Sequence, residues 1–178
     1  MTDPFTEREV RLGDAFDELD AHLDELAAML QDADSETASA QALLRRANET
    51  EARLSGVAWL IEEYGEDATV TVTGLGAGDF ARVEDRVATI RAQSDEPGGV
   101  PGSKRNVVAA AGLVDAPFLD LDEDASERQQ FKQKLGAVGS DQLPVGVTKW
   151  LEHLVNEESS IEGNWTPLSE RLAASSED

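Results

Sequence analysis

The sequence predicts a mainly α-helical protein: an amino-terminal helical hairpin followed by a small helical domain that carries one short β-strand or hairpin. Three observations carry this. Two long stretches before residue 65 repeat apolar residues at alternating spacings of four and three, the period of an amphipathic helix. A single stretch, residues 68–73, alternates β-branched residues as a strand does. Beyond it, apolar residues recur in short runs at helical spacing, separated by glycine- and proline-containing connections.

The first helical stretch carries Leu12, Phe16, Leu19, Leu23, Leu26 and Leu30, with acidic residues between them. Residues 32–35, Asp-Ala-Asp-Ser, break the pattern, and Asp34 or Ser35 is placed to cap a second helix. Leu43, Ala47, Thr50, Leu54, Val57, Ile61 and Tyr64 then repeat the spacing up to Gly65, a stop signal. Two seamed helices joined by a short polar loop predict an antiparallel hairpin over residues 1–65. Two helices alone bury only a thin seam, so the hairpin must lie on the rest of the chain or on a second subunit.

Residues 66–158 form the second unit. The Ala68–Thr73 strand requires a partner, because an unpaired strand exposes its backbone donors and acceptors. Asp79 is expected to cap a helix whose apolar face is Phe80, Val83, Val87 and Ile90, ending near Gln93. Residues 94–104, SDEPGGVPGSK, read as a loop. Three short helices follow: Asn106 to Leu113, Ala125 to Leu135, and Pro144 to Asn156 with its proline in the first turn. Residues 159–178 thin into Ala-Ala-Ser-Ser-Glu-Asp, an acidic tail expected to be partly disordered.

Charge constrains the environment. There are 37 Asp and Glu against 15 Lys and Arg, a net charge of -22, and only Lys104, Lys132, Lys134 and Lys149 are lysines. Such a surface repels itself in dilute buffer, whereas near 1 M salt the screening length falls to about 3 Å. The balance therefore predicts a halophilic protein, kept soluble by charge where salt strengthens apolar association. The same charge argues against nucleic-acid binding, which draws on Lys and Arg contacts to phosphate; Arg45-Arg46 and Lys104-Arg105 are the adjacent cation pairs. No cysteine is present, which excludes thiolate chemistry and disulfides. The opening residues MTDPFTEREV lack the apolar run of a signal peptide, and no stretch has the length of a membrane span. A cytoplasmic location is expected.

Several motifs approach known sites and miss. Gly74-Leu-Gly-Ala-Gly78 stands between strand and helix, but the sixth position of a dinucleotide fingerprint is Asp79, whose carboxylate would repel a pyrophosphate. Asp120-Leu-Asp-Glu-Asp124 opens like a calcium loop, yet Ala125 occupies the glycine position and Phe131 the bidentate glutamate position. His22 and His153 stand apart with no second ligand at metal-binding spacing. No nucleophile motif or acid/base couple stands out, so no catalytic residue, metal or cofactor is expected and the chain reads as a non-enzyme.

Three stretches suggest a role. They are Thr71-Val-Thr-Gly-Leu-Gly-Ala-Gly-Asp-Phe80, Arg105-Asn-Val-Val-Ala-Ala-Ala-Gly-Leu-Val-Asp-Ala-Pro117, and Lys134-Leu-Gly-Ala-Val138 with Val145-Gly-Val-Thr-Lys-Trp-Leu151. In order and character this pattern resembles tail assembly chaperones of tailed viruses, here of a halophilic archaeal virus or provirus. The resemblance covers about residues 68–165 and leaves out the hairpin. It implies a non-catalytic protein that binds the tape-measure protein, helps tail-tube subunits assemble on it, and acts in the host cytoplasm. It also implies an extended form made by ribosomal frameshifting. Recognition of a long helix needs an apolar groove, for which Val107, Val108, Leu113, Phe118, Trp150, Leu151 and Leu154 are the candidates; core packing is the other reading of each. The alternative function is a cellular haloarchaeal coiled-coil adaptor or regulator that dimerises, as a homo-oligomer, through residues 1–65.

Overall fold

A computed structural model describes residues 7–33, 37–93, 103–122 and 124–159. In chain order the elements are β1 (Glu7–Arg11), α1 (Leu12–Asp32), α2 (Ala38–Tyr64), β2 (Thr69–Thr73), α3 (Ala77–Gln93), α4 (Ser103–Gly112), β3 (Leu113–Asp115), α5 (Glu127–Val138) and α6 (Val145–Ser159). The protein is mainly helical, with one small antiparallel sheet in the order β1-β2-β3.

The strand that sequence singled out is the central one. β2 buries Val70 and Val72 completely and leaves its threonines half-buried. Its partners carry little signal of their own. β1, Glu-Arg-Glu-Val-Arg, has one apolar residue, Val10, set opposite Val70 in the ladder. β3 is three residues long, and a register irregularity at Thr71/Val72 brings Leu113 opposite Val72. The helix expected to run to Leu113 ends one residue earlier because that residue joins the sheet. Gly112 permits the change of direction: a methyl there would lie 2.5 Å from both Val155 methyls and 2.7 Å from the Thr73 carbonyl oxygen.

Local signals explain most helix ends. The Thr37 hydroxyl accepts from Ala40 N–H at 3.2 Å and caps α2, whereas Asp34 and Ser35 lie outside the described residues. Gly65, at φ +90°, ends α2 by donating its N–H to Ile61 at 2.8 Å. Asp79 acts from inside the first turn of α3, accepting from Gly76 N–H at 3.2 Å, and so supports the cap that Gly76 forms. Pro144 precedes α6, and its carbonyl accepts from Val147 N–H at 3.0 Å. The loop expected over 94–104 gives way to helix at Ser103; residues 94–102 and the tail from residue 160, Trp165 included, lie outside the described residues.

One apolar cluster joins both halves of the chain. Val10, Leu12 and Leu19 from β1 and α1, and Val57 and Leu60 from α2, share it with Val83, Val107, Leu113, Trp150 and Leu151. The boundary expected after residue 65 therefore falls at a turn within a continuous core. α6 is the central helix, burying Val147, Trp150, Leu151, Leu154 and Val155 against α2, α4 and β2. At residues 56 and 146, α2 and α6 meet backbone to backbone: a methyl on Gly56 would collide with the main chain of Gly146 and Val147, and one on Gly146 with the Ala52 carbonyl. The distal part of the hairpin extends past this core. Leu26 and Ala40 are buried there outside the main cluster, while Met29 and Leu44 remain more than half exposed.

The crossing gives a direct test. Gly56→Ala or Gly146→Ala should each destabilise by about 1–3 kcal/mol through overpacking, seen as a lower urea midpoint. Gly136→Ala on α5, where nothing lies within 4 Å, should instead stabilise by roughly 0.5–1 kcal/mol. Equal midpoints for Gly56→Ala and the parent would show that the two backbones do not touch.

Candidate functional site

α3, α4 and α5 enclose a cleft of about 570 Å³. Each helix presents one face to it. Arg82, Val83 and Arg86 come from successive turns of α3, and Val107, Ala110 and Ala111 from α4. α5 supplies Glu127, Arg128, Gln130, Phe131 and Lys134 at the spacing of one helical face. The floor is apolar, and the walls carry four cationic side chains against two acidic ones, Asp79 and Glu127. In a chain of net charge -22 this is a local reversal of sign.

The cations are held differently. Arg82 pairs with Asp79 at 3.1 Å across an exposed first turn of α3. Half-buried Arg86 sets its guanidinium 5.9 Å from the centre of the Phe131 ring, a cation–π contact that orients both side chains toward the cleft. Lys134 reaches inward and donates to the Leu113 carbonyl oxygen at 2.6 Å, tying α5 to β3. Burial pushes the Lys134 ammonium below its usual pKa of 10.5, opposed by the carboxylates of Asp115 and Glu7. Arg128 is exposed at the rim.

The residues that sequence proposed as a partner groove are mostly interior. Val107, Val108, Leu113, Trp150, Leu151 and Leu154 are each at most 4% exposed. Of these Val107 lines the α3–α4–α5 cleft, while Trp150 and Leu154 line a second cleft between α1, α2 and α6. Phe118 is half-buried and packs against the core from the connection after β3. Sequence reasoning missed Arg86, Arg128, Phe131 and Lys134. The helical spacing of Arg128, Phe131 and Lys134 on α5, and the rarity of cations in this chain, were the available signals.

Comparisons with protein families, with curated proteins and with solved structures found no match. Among the described residues no helix is long and apolar enough to cross a membrane, and no cluster of three or more His, Cys, Asp or Glu is arranged to hold a metal ion. The Asp120–Asp124 segment closes locally, with Asp124 N–H donating to the Asp122 carboxylate at 3.1 Å. Gly74 to Gly76 form the connection from β2 to α3, and Gly78 lies inside the first turn of α3.

Lys134 provides a pH signature. Its lowered pKa means that the unfolded chain binds the proton more tightly than the folded one. Its contribution is therefore unfavourable at neutral pH and is relieved as pH rises through the lowered folded value toward 10.5. Lys134→Met should flatten the alkaline rise in urea midpoint relative to the parent protein. Parallel curves for the two proteins would mean that the ammonium is not desolvated.

Proposed function

We propose that this is a non-catalytic binding and assembly protein whose α3–α4–α5 cleft receives an acidic, amphipathic helix of a protein partner. The observation that carries the reading is the gathering of Arg82, Arg86, Arg128 and Lys134 around an apolar floor in a strongly acidic chain. Apolar anchors at helical spacing would fill the floor, and acidic residues on their flanks would meet the guanidinium groups. Complementary charge selects the partner and its orientation more than it adds affinity.

The resemblance to viral tail assembly chaperones supplies the partner. Two of its three stretches fall on elements that build this cleft: Thr71–Phe80 leads from β2 into α3, and Arg105–Pro117 contains the α4 wall, while the third ends on α6 in the core. On this reading the bound helix belongs to a tape-measure protein, tail-tube subunits are recruited to the complex, and the work is done in a salt-rich host cytoplasm. Half-buried contacts such as Arg86 on Phe131 suit that setting, because they are screened less than exposed pairs.

Pull-down in molar KCl with tape-measure and tail-tube proteins tests it. The parent chain should retain the tape-measure protein, and the exposed charge reversals Arg82→Glu and Arg128→Glu together should weaken capture a few-fold, more so as the KCl concentration is lowered. Recovery of neither virion protein would overturn the reading.

A second reading, the dimerising adaptor, draws on Met29 (54% exposed) and Leu44 (52% exposed) on the hairpin beyond the main core. It expects the full chain to sediment as a dimer in molar KCl and Met29→Glu with Leu44→Glu to return it to monomer. A monomeric parent chain removes it.

A further inference from the structure

On the other side of the core's sequence order, the hairpin, β1 and α6 surround a second cleft of about 410 Å³ that shares no residue with the first. That volume falls within the range of small-molecule sites. Both histidines of the chain, His22 and His153, and three of its arginines, Arg8, Arg46 and Arg53, line it. Sequence placed these residues far apart; α1, α2, α6 and β1 bring them together.

The α2 wall is the informative one. Arg46, Thr50 and Arg53 stand on successive turns, so a hydroxyl is flanked on one helix face by two guanidinium groups. Thr50 is only 2% exposed, and among the described residues its hydroxyl has no hydrogen-bond partner. Among the described residues no buried side-chain oxygen or nitrogen is sealed off without a partner, so this hydroxyl keeps some access, and the cleft it lines is the opening beside it. Thr148, the other buried polar residue among the described residues, instead donates to the Val138 carbonyl at 3.5 Å.

The arginines differ in how far they are engaged. Arg8 is occupied by Glu157 at 3.4 Å and Glu158 at 3.1 Å, and His153 also meets Glu157 at 3.2 Å. Arg53, with a side chain 22% exposed, has only Glu49 at 3.9 Å, and Arg46 has no ion-pair partner among the described residues. Two guanidinium groups and a hydroxyl that line one cleft thus retain donors. Ala15, Leu19, Trp150 and Leu154 supply an apolar surface beside them, while Glu18, Glu49 and Glu157 also line the cleft. Those three carboxylates disfavour a multiply charged ligand.

We propose that this cleft binds a small monocarboxylic acid, its carboxylate on Arg46, Thr50 and Arg53 and its apolar body against Leu19, Trp150 and Leu154. Guanidinium and hydroxyl donors match the in-plane acceptors of a carboxylate, and the apolar wall gives a second handle that inorganic anions lack.

Titration of the ¹⁵N-labelled full chain with hexanoate, hexanamide and inorganic phosphate tests the proposal. Hexanoate should shift the amide signals of Leu19, Thr50 and Trp150 and the Arg53 Nε–H signal saturably, with hexanamide about tenfold weaker. Thr50→Val and Arg53→Gln should each weaken hexanoate by about tenfold, and the exposed Arg46→Gln by a few-fold, while keeping a folded spectrum. Should Thr50→Val fail to fold, Arg46→Gln and Arg53→Gln still decide the matter. The proposal is overturned if hexanoate leaves these signals unmoved, if hexanamide or phosphate matches it, or if the arginine variants bind hexanoate as the parent does.

Discussion

The contact between Gly56 and Gly146 is the constraint on which the rest of the structure depends. With no side chain on either helix at that point, α2 and α6 approach until their backbones touch. This draws the amino-terminal hairpin onto the helix that forms the centre of the core. α2 and α6, held together at this crossing, also supply walls of the α1–α2–α6 cleft. Gly112 has the parallel role at the sheet, where β2 and α6 leave no room for a Cβ.

Charge works around this frame rather than within it. Arg8 links β1 to the end of α6, Arg11 links the start of α1 to Asp14 and to Asp67 after α2, and Arg105 links α4 to Glu152 of α6. Hydrogen bonds donated to the Asp14 and Asp67 carboxylates hold the Arg11 guanidinium firmly protonated, and Arg11 in turn lowers the Asp14 carboxyl pKa. These pairs are largely exposed, so each adds little stability; their effect is to orient junctions. Six further cations, Arg46, Arg53, Arg82, Arg86, Arg128 and Lys134, line the two clefts.

Both long helices, the central strand and the three short helices after residue 100 were legible, because burial on one face imposes a period that the sequence must carry. β1 was not. Glu7, Arg8, Glu9 and Arg11 have no reason of their own to be extended, and they pair because the β2 edge offers a ladder. Leu113 likewise reads as the last apolar residue of a helix and becomes a strand because it lies beside Val72. The site fared worse than the fold. Trp150, Leu151 and Leu154 were picked for their apolar spacing, a pattern that core and groove share, and burial separates the two only once neighbours are in place.

By itself the sequence determined the fold class, the two long helices of the hairpin, the strand read at 68–73 and the acidic composition, since each depends on composition or on periodicity along one element; it did not fix the buried face of α2, where Leu60 is buried and Tyr64 is exposed. Only the tertiary structure decided which strands pair, where α2 and α6 cross, and which side chains share a cleft. Arg46, Thr50 and Arg53 are one helix face by sequence, but Trp150, His153 and Arg8 come to the same cleft through contacts more than a hundred residues apart along the chain in the case of Arg8 and Glu157. Such meetings depend on how close two backbones can approach, and the absence of a Cβ at residues 56 and 146 permits it here.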